Sequence, residues 1–593
     1  MTPSIGRMLP VVLLLSGAAA LHARQAPDPA GTLHALFDEA WEWEMRQDPV
    51  TASFLGDRRY NDRWADDSLA AIEQRHRDRT AFLDRLERID RARLSPADQL
   101  NYDLFESDLR RAIEAHAFRM YLLPLNQRGG IQTADSLTEV LRFETVKDYE
   151  DWLARLRGIP GVVDDTLALM REGVRARMLW PKVTMERVPG QIDKQIGASP
   201  AESPLYAPFA RFPESIAEAD RQRLAAAARE AISEQVVPAY RRLKEYLVSE
   251  YLPASFDAVG IWQWPQGREA YAFLARRYTT TALTPEQIHE KGVAEVARIR
   301  GEMQRILEQV QFQGTLKEFF AHLRTDPKFY HRTGDELLEA YRAVAKRIDP
   351  HIVRVVATPP RMPYGVIPIP DTIAPDTTTA YYNPPAADGS RAGYYYVNLY
   401  KPETRPTYEM MALSLHEAVP GHHLQIARAM ELGEIPKFRR YGGYTAFIEG
   451  WGLYAESLGD DMGLYDDPYA KFGQLTYEMW RAVRLVVDTG MHHGRWDRQK
   501  AIAFFLDNAA KTELDVVNEI DRYITMPGQA LAYKIGELKI KELRARATQA
   551  LGPRFDLRTF NDAVLGSGAV PLDVLERSID EWIAAQQREP ASR

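Results

Sequence analysis

Residues 407–428 read TYEMMALSLHEAVPGHHLQIAR, and the pair His416-Glu417 closes a stretch that is apolar on nearly every side. Such a stretch is expected to be buried, and an ionised Glu is costly to bury unless it is paired or lies near a metal. Zinc takes neutral imidazole and carboxylate ligands, and a catalytic zinc site leaves one position open for water. A Glu next to the first His ligand can reach that water and accept its proton. The residue types therefore point to metal-assisted hydrolysis.

The spacing departs from the usual helical H-E-x-x-H pattern, in which two imidazoles four residues apart share one helix face. After His416 the next histidines are His422 and His423, behind Pro420 and Gly421. Six residues along a straight helix is about 240° around its axis, and seven is about 10.5 Å along it. Neither histidine can join His416 on an unbroken helix. Pro420 removes a backbone donor and Gly421 permits unusual dihedrals, so a kink or bulge is expected to swing one of them back. Spacing alone leaves open which one, and leaves a Pro-Gly helix end with incidental histidines as the plain alternative.

A third ligand is sought in residues 443–459 (GYTAFIEGWGLYAESLG), where Glu449 and Glu456 lie seven apart and so on roughly one helix face. Glu449 sits among Phe447, Ile448 and Trp451, company that suits a ligand better than a solvated charge. Glu456 is placed to orient a His ligand from behind. Further on, Tyr533 and Lys534 follow Pro527-Gly528-Gln529 at a probable helix start. A Tyr hydroxyl facing the metal would stabilise an oxyanion, and simple packing is the bland reading. His492 and His493 follow Asp488 and Gly490, with an oxyanion or substrate-carboxylate contact and a structural hydrogen bond equally open.

The elements that must hold these residues are mostly helices. Helical patterns dominate residues 32–310. Thr284-Pro285-Glu286-Gln287 reads as a capped helix start, with Ile288, Val296, Ile299, Met303, Ile306 and Val310 on one face behind it. Prolines crowd residues 358–385 and argue against a long helix there. The β-rich runs around them, 352–357, 379–382 and 393–400, predict a small sheet beside the active-site helix. An edge strand ahead of that helix would pair with a substrate backbone, which makes Tyr396 and Asn398 candidate substrate contacts. One boundary is placed near residues 260–267, dividing an N-terminal helical region (24–260) from a catalytic region (261–593). Together these are expected to form one unit with a cleft.

Composition limits the alternatives. The 593 residues carry a formal net charge of -8 and no cysteine. Tight nucleic-acid binding is disfavoured, because phosphate contact needs clustered Lys and Arg. Disulfides, thiolate nucleophiles, Cys-ligated zinc and an acylated-cysteine anchor are all excluded. Residues 1–23 read as a signal peptide, with Arg7 before an apolar run that is shorter than the ~20 residues of a spanning helix. Export to the periplasm or the medium is expected, with no stable membrane insertion after cleavage. No G-x-S-x-G elbow or P-loop is present.

HEAVPGHHLQ, from His416 to Gln425, resembles the H-E-x-x-P-G-H-x-x-Q signature of the bacterial DUF885 proteins. EGWGLYAE, from Glu449 to Glu456, resembles that family's second motif, and VDTGMHHGRW and MPGQALAYKIGEL fit its later ones. The family is similar to the gluzincin peptidases, so the resemblance implies a mainly α, zincin-like fold. It further implies Zn2+ on His416, His422 and Glu449, with Glu417 as general base. The family signature ends its G-H at His422, which favours His422 over His423. The function expected is a zinc peptidase acting on a peptide or small amide. The alternatives are a zinc hydrolase of non-peptide amides or esters, and a non-catalytic binding protein on the same scaffold.

Overall fold

The computed structural model describes residues 28–370, 374, 378–385 and 391–588. The expected signal peptide, residues 1–23, lies outside them. The protein is mainly α, with one small sheet. Helix starts follow the local chemistry. Asp28, Ser68 and Ser95 accept hydrogen bonds from first-turn amides of the helices they precede. Thr284 and Gln287 form the expected reciprocal cap, at 3.3 and 3.0 Å, on the helix Pro285–Gln309.

Two large apolar cores hold the helices. The larger joins residues from both sides of position 260, among them Trp152 and Tyr240 with Trp451 and Ile540. The second lies between the helices Pro285–Gln309 and Pro468–His492. These two approach closely at Gly292, where a Cβ would meet that of Leu485 at 2.7 Å. Among the described residues, no helix is long and apolar enough to cross a membrane.

The sheet contains β1 (Tyr364–Pro368), β2 (Ala380–Asn383) and β3 (Gly393–Val397) in the order β1-β3-β2. β1 runs parallel to β3, pairing Tyr364 with Gly393 and Pro368 with Val397. β2 runs antiparallel, pairing Ala380 with Val397 and Asn383 with Tyr394. Tyr395 and Val397 turn inward onto Leu337 and Tyr341 of the helix Gly334–Ile348, and onto Met410 and Leu413 of the helix that carries His416. The sheet therefore buttresses the metal-motif helix.

Two sequence expectations need correction. The run 352–357 is not a strand; its first half belongs to a 3-10 turn, Asp349–Arg354. The first strand instead falls inside the proline-rich stretch, where Tyr364, Val366 and Ile367 find β3 as a partner. β3 is also not an edge strand, since both its sides are paired, so it has no free backbone edge for a substrate.

Candidate metal centre

The helix Met410–Glu417 stops one residue after His416. Ala418 (φ -100°, ψ -111°) and Gly421 (φ -77°, ψ -129°) leave helical geometry, and a new helix, His422–Glu431, begins at once. The helix thus stops and a new one restarts after four residues, a full break and not a kink. Gly421 is required by close approach: a Cβ there would lie 1.9 Å from the carbonyl oxygen of His416. Trp451, fully buried, donates from Nε1 to the Pro420 carbonyl at 2.7 Å and pins the turn to the next helix, Thr445–Met462.

The turn brings His422 to His416, with ring centroids 4.7 Å apart and planes at 86°. Glu449, from the helix Thr445–Met462, completes the group. Its Oε2 lies 3.7 Å from His416 Nε2 and 3.6 Å from His422 Nε2, and one ligand atom from each residue falls within 4.8 Å of the others. A tetrahedral zinc ion with ligands at about 2.0–2.1 Å has donor-to-donor edges of about 3.3 Å. The two edges to Glu449 are therefore within about 0.4 Å of that spacing, and the edge between the imidazoles is at most 4.8 Å. Gly452 makes room for the first imidazole, since a Cβ there would stand 2.8 Å from His416 Cε1.

Charge holds the group together. Burial would push the His416 imidazole down, but the carboxylates of Glu449 and Glu456 hold it up at about 9. Burial would push Glu449 up, yet the two imidazoles keep it well below the usual carboxylate range. A cation would take over the role of this shared positive charge. Behind His416, fully buried Glu456 accepts from Nδ1 at 2.8 Å, which leaves Nε2 for the centre of the group. His422 Nδ1 has no such partner among the described residues.

Glu417 is half-buried and makes no hydrogen bond or ion pair among the described residues. Its charge acts on His416 and on Tyr395. The helices Thr445–Met462 and Ala532–Leu551 cross in backbone contact: a Cβ on Gly450 would lie 2.5 Å from the Cα of Gly536. That crossing carries Tyr533 to the group. Burial and the Glu449 carboxylate both push its hydroxyl up, and the hydroxyl has no hydrogen-bond partner among the described residues.

The remaining expected residues lie elsewhere. His423 accepts from the Tyr382 hydroxyl at Nδ1 (2.8 Å) and donates from Nε2 to the Met362 carbonyl (3.0 Å), so both nitrogens are committed. Burial pushes it down to about 4 and keeps it neutral. His492 is fully buried, accepts from the Ile261 amide and donates to the Tyr523 carbonyl. Lys534 is buried against Glu478, Glu295 and Glu537 at 2.7, 2.9 and 2.5 Å, so its ammonium is committed to these three carboxylates. Asn398 is buried and its amide holds the Ala374 and Thr378 carbonyls. Tyr396 stacks on Tyr381 at 4.8 Å. A cavity of about 730 Å³ is lined by Thr280, Lys291, Glu295, Lys539 and Glu576 and by none of the metal-group residues. Convergent donors locate chemistry better than volume does, so it is set aside.

Sequence reasoning missed Arg481 and Arg484, two nearly buried arginines flanking Tyr533. Their mark was available: charged residues three apart inside an apolar helical run, WRAVRLVV.

This arrangement defines a mainly helical protein with a preformed two-His, one-Glu donor group backed by a carboxylate. The chain belongs to the DUF885 family, bacterial proteins of unknown function, whose model matches residues 49–579. It is similar to a solved protein from Colwellia psychrerythraea, provisionally assigned as a lipoprotein. Identity is 29%, the TM-score is 0.88, and 94% of this chain and 100% of that one are covered. A provisionally assigned lipoprotein of unknown function from Shewanella oneidensis shares the fold at 17% identity and a TM-score of 0.70, with 93% and 99% covered. No curated protein matches the chain.

Proposed function

We propose that the protein is an exported zinc-dependent peptidase with a zincin-like centre on His416, His422 and Glu449. The observation that carries this reading is the convergence of those three donors within 4.8 Å, beside a carboxylate, Glu417, that has no partner among the described residues. Two His and one Glu suit Zn2+ better than Mg2+ or Ca2+, which prefer all-oxygen sites. Bound there, Zn2+ would supply a Lewis acid for the carbonyl and lower the pKa of water. Glu417 accepts the proton of the attacking water and returns it to the leaving nitrogen. Glu456 fixes the His416 tautomer. The Tyr533 hydroxyl donates to the oxyanion that develops on the substrate carbonyl. Export is supported by the apolar segment that follows Arg7 and by the lipoprotein assignment of the Colwellia psychrerythraea relative.

The test is metal content by elemental analysis together with turnover of a peptide library. The expected result is about one zinc per chain, lost in His422→Ala and kept in His423→Ala. Glu417→Gln should keep the metal and lose at least about a hundredfold in kcat, the scale of general acid–base catalysis. Full turnover by Glu417→Gln would sink the mechanism.

A further inference from the structure

Beside the metal group the chain buries more positive charge than it neutralises. Arg484, on the helix Pro468–His492, has a side chain only 6% exposed. Its Nε donates to the Tyr523 hydroxyl at 2.7 Å and its Nη2 to Glu519 at 3.1 Å, while Nη1 is enclosed without a partner among the described residues. Arg481, one turn earlier and 8% exposed, leaves Nε unpartnered and reaches Glu456 only at 3.9 Å. Arg522 shares the same Glu519 at 3.3 Å. Arg128 comes from a separate loop, within electrostatic range of Arg522 and Tyr533, and its exposed side chain has no partner among the described residues. Three enclosed guanidinium groups and the exposed Arg128 thus share Glu519, while Glu456 already serves His416 and Asp488 reaches Arg522 only through its charge.

Enclosed guanidinium groups without counter-charges are expensive, and the protein as a whole is acidic, at -8. An anion bound at the cluster would remove the imbalance. Tyr533 links the cluster to the metal group: its ring centroid is 4.4 Å from the Arg484 guanidinium and 5.9 Å from that of Arg481, and it lies in the field of Glu449. Guanidinium groups match carboxylates in fork geometry. An extended chain advances about 3.3–3.6 Å per residue. A carboxylate at Arg484 and a carbonyl at the metal group therefore belong to one substrate when that substrate ends within a few residues of the bond.

We propose that Arg484, with Arg128, Arg481 and Arg522, forms a carboxylate-binding subsite whose ligand is the C-terminal carboxylate of a short peptide. The proposal rests on the peptidase reading and narrows it to trimming from the C-terminus. A carboxylate can also come from an acidic side chain, so the test separates the two sources.

Calorimetric titration of the full zinc-loaded chain, in the Glu417→Gln background so that peptide is not consumed, compares trialanine, trialanine amide and Ala-Asp-Ala amide. Trialanine is expected to bind at least about tenfold more tightly than either amide. That ratio should fall towards one in Arg484→Gln and in Arg128→Glu. The second variant changes an exposed side chain without partners among the described residues, so it tests the proposal even if the first fails to fold. Equal binding of trialanine and its amide, no binding of any peptide at millimolar concentration, or a ratio untouched by Arg128→Glu would overturn the subsite. Ala-Asp-Ala amide binding as tightly as trialanine would overturn the assignment to the chain terminus. Carboxylate-dependent binding in a protein that, with Glu417 restored, cleaves none of these peptides would refute the peptidase reading and leave the subsite standing.

Discussion

Among individual residues, the donor group depends on one carboxylate that would not touch the metal. Glu456 is wholly enclosed, 2.8 Å from His416 Nδ1. Without it the imidazole can rotate or carry its proton on the nitrogen that must face the cation. Removal of such a partner costs roughly 10–100-fold in metal affinity in comparable sites. Glu456→Ala is therefore expected to bind zinc in that weakened range in competition with a chelator, while His416→Ala and Glu449→Ala fall below detection. An unchanged affinity in Glu456→Ala would mean that the surrounding packing, chiefly Gly452 and Trp451, orients the imidazole unaided. His423 stands at the opposite pole, with both nitrogens committed to Tyr382 and Met362. Its neighbourhood in sequence made it a rival ligand, and its hydrogen bonds remove it.

Between elements, the centre is assembled by glycines at contacts too close for a side chain. Gly452 presents bare backbone to His416, and an alanine methyl there would lie 2.8 and 2.9 Å from Cε1 and Nε2. Such overpacking costs about 1–3 kcal/mol in a well-packed core, and here the atom that must yield belongs to His416, a proposed ligand. Gly452→Ala should thus lose zinc affinity by tenfold or more while losing only modest thermal stability. Gly301→Ala is the control: it lies in the helix Pro285–Gln309 with nothing within 4 Å of a Cβ. It should gain about 0.5–1 kcal/mol and leave metal binding alone. Gly452→Ala with normal zinc affinity would show that the imidazole has slack to move. The sequence made much of this scale legible. The helix-period Glu449/Glu456 pair, the Thr284 cap and two of the three strands could be read from residue type and spacing. β1 could not, because its stability comes from a partner about thirty residues away and its prolines mask it. The choice of His422 could not be made from spacing either, since the break at Ala418 to Gly421 is held by a tertiary hydrogen bond from Trp451.

At the level of the whole molecule, elements distant in sequence meet at a buried acid, Asp488, whose motif gave no sign of its role. Asp488, in the middle of the second core, accepts from the Tyr271 hydroxyl at 2.6 Å and from the Gly528 amide at 3.0 Å, while its other oxygen has no partner among the described residues. It ties together the helices Gly267–Thr279 and Pro468–His492 and the turn before Tyr533, so its ionisation bears on how these elements are held. Burial pushes this carboxyl up to about 7 despite the two hydrogen bonds. The sign follows from proton counting. Between its ordinary unfolded value near 4 and about 7, the folded state holds a proton on Asp488 that the unfolded state has lost. Rising pH therefore subtracts stability through this window, and the loss is complete above about 7. About three units at about 1.4 kcal/mol each set an upper scale of roughly 4 kcal/mol. Buried carboxylates such as Glu519, which Arg522 and Arg484 hold down to about 2 against burial, act in the opposite direction at lower pH. Whole-protein melting is therefore a sum, and the difference between two variants isolates the term. Asp488→Asn keeps an acceptor for Tyr271 and Gly528 and cannot ionise. Urea unfolding of both proteins should give similar stabilities near pH 5. By pH 8 the Asn variant should be ahead by a few kcal/mol, and a difference that stays flat across that range would show that Asp488 is ionised in the folded protein throughout.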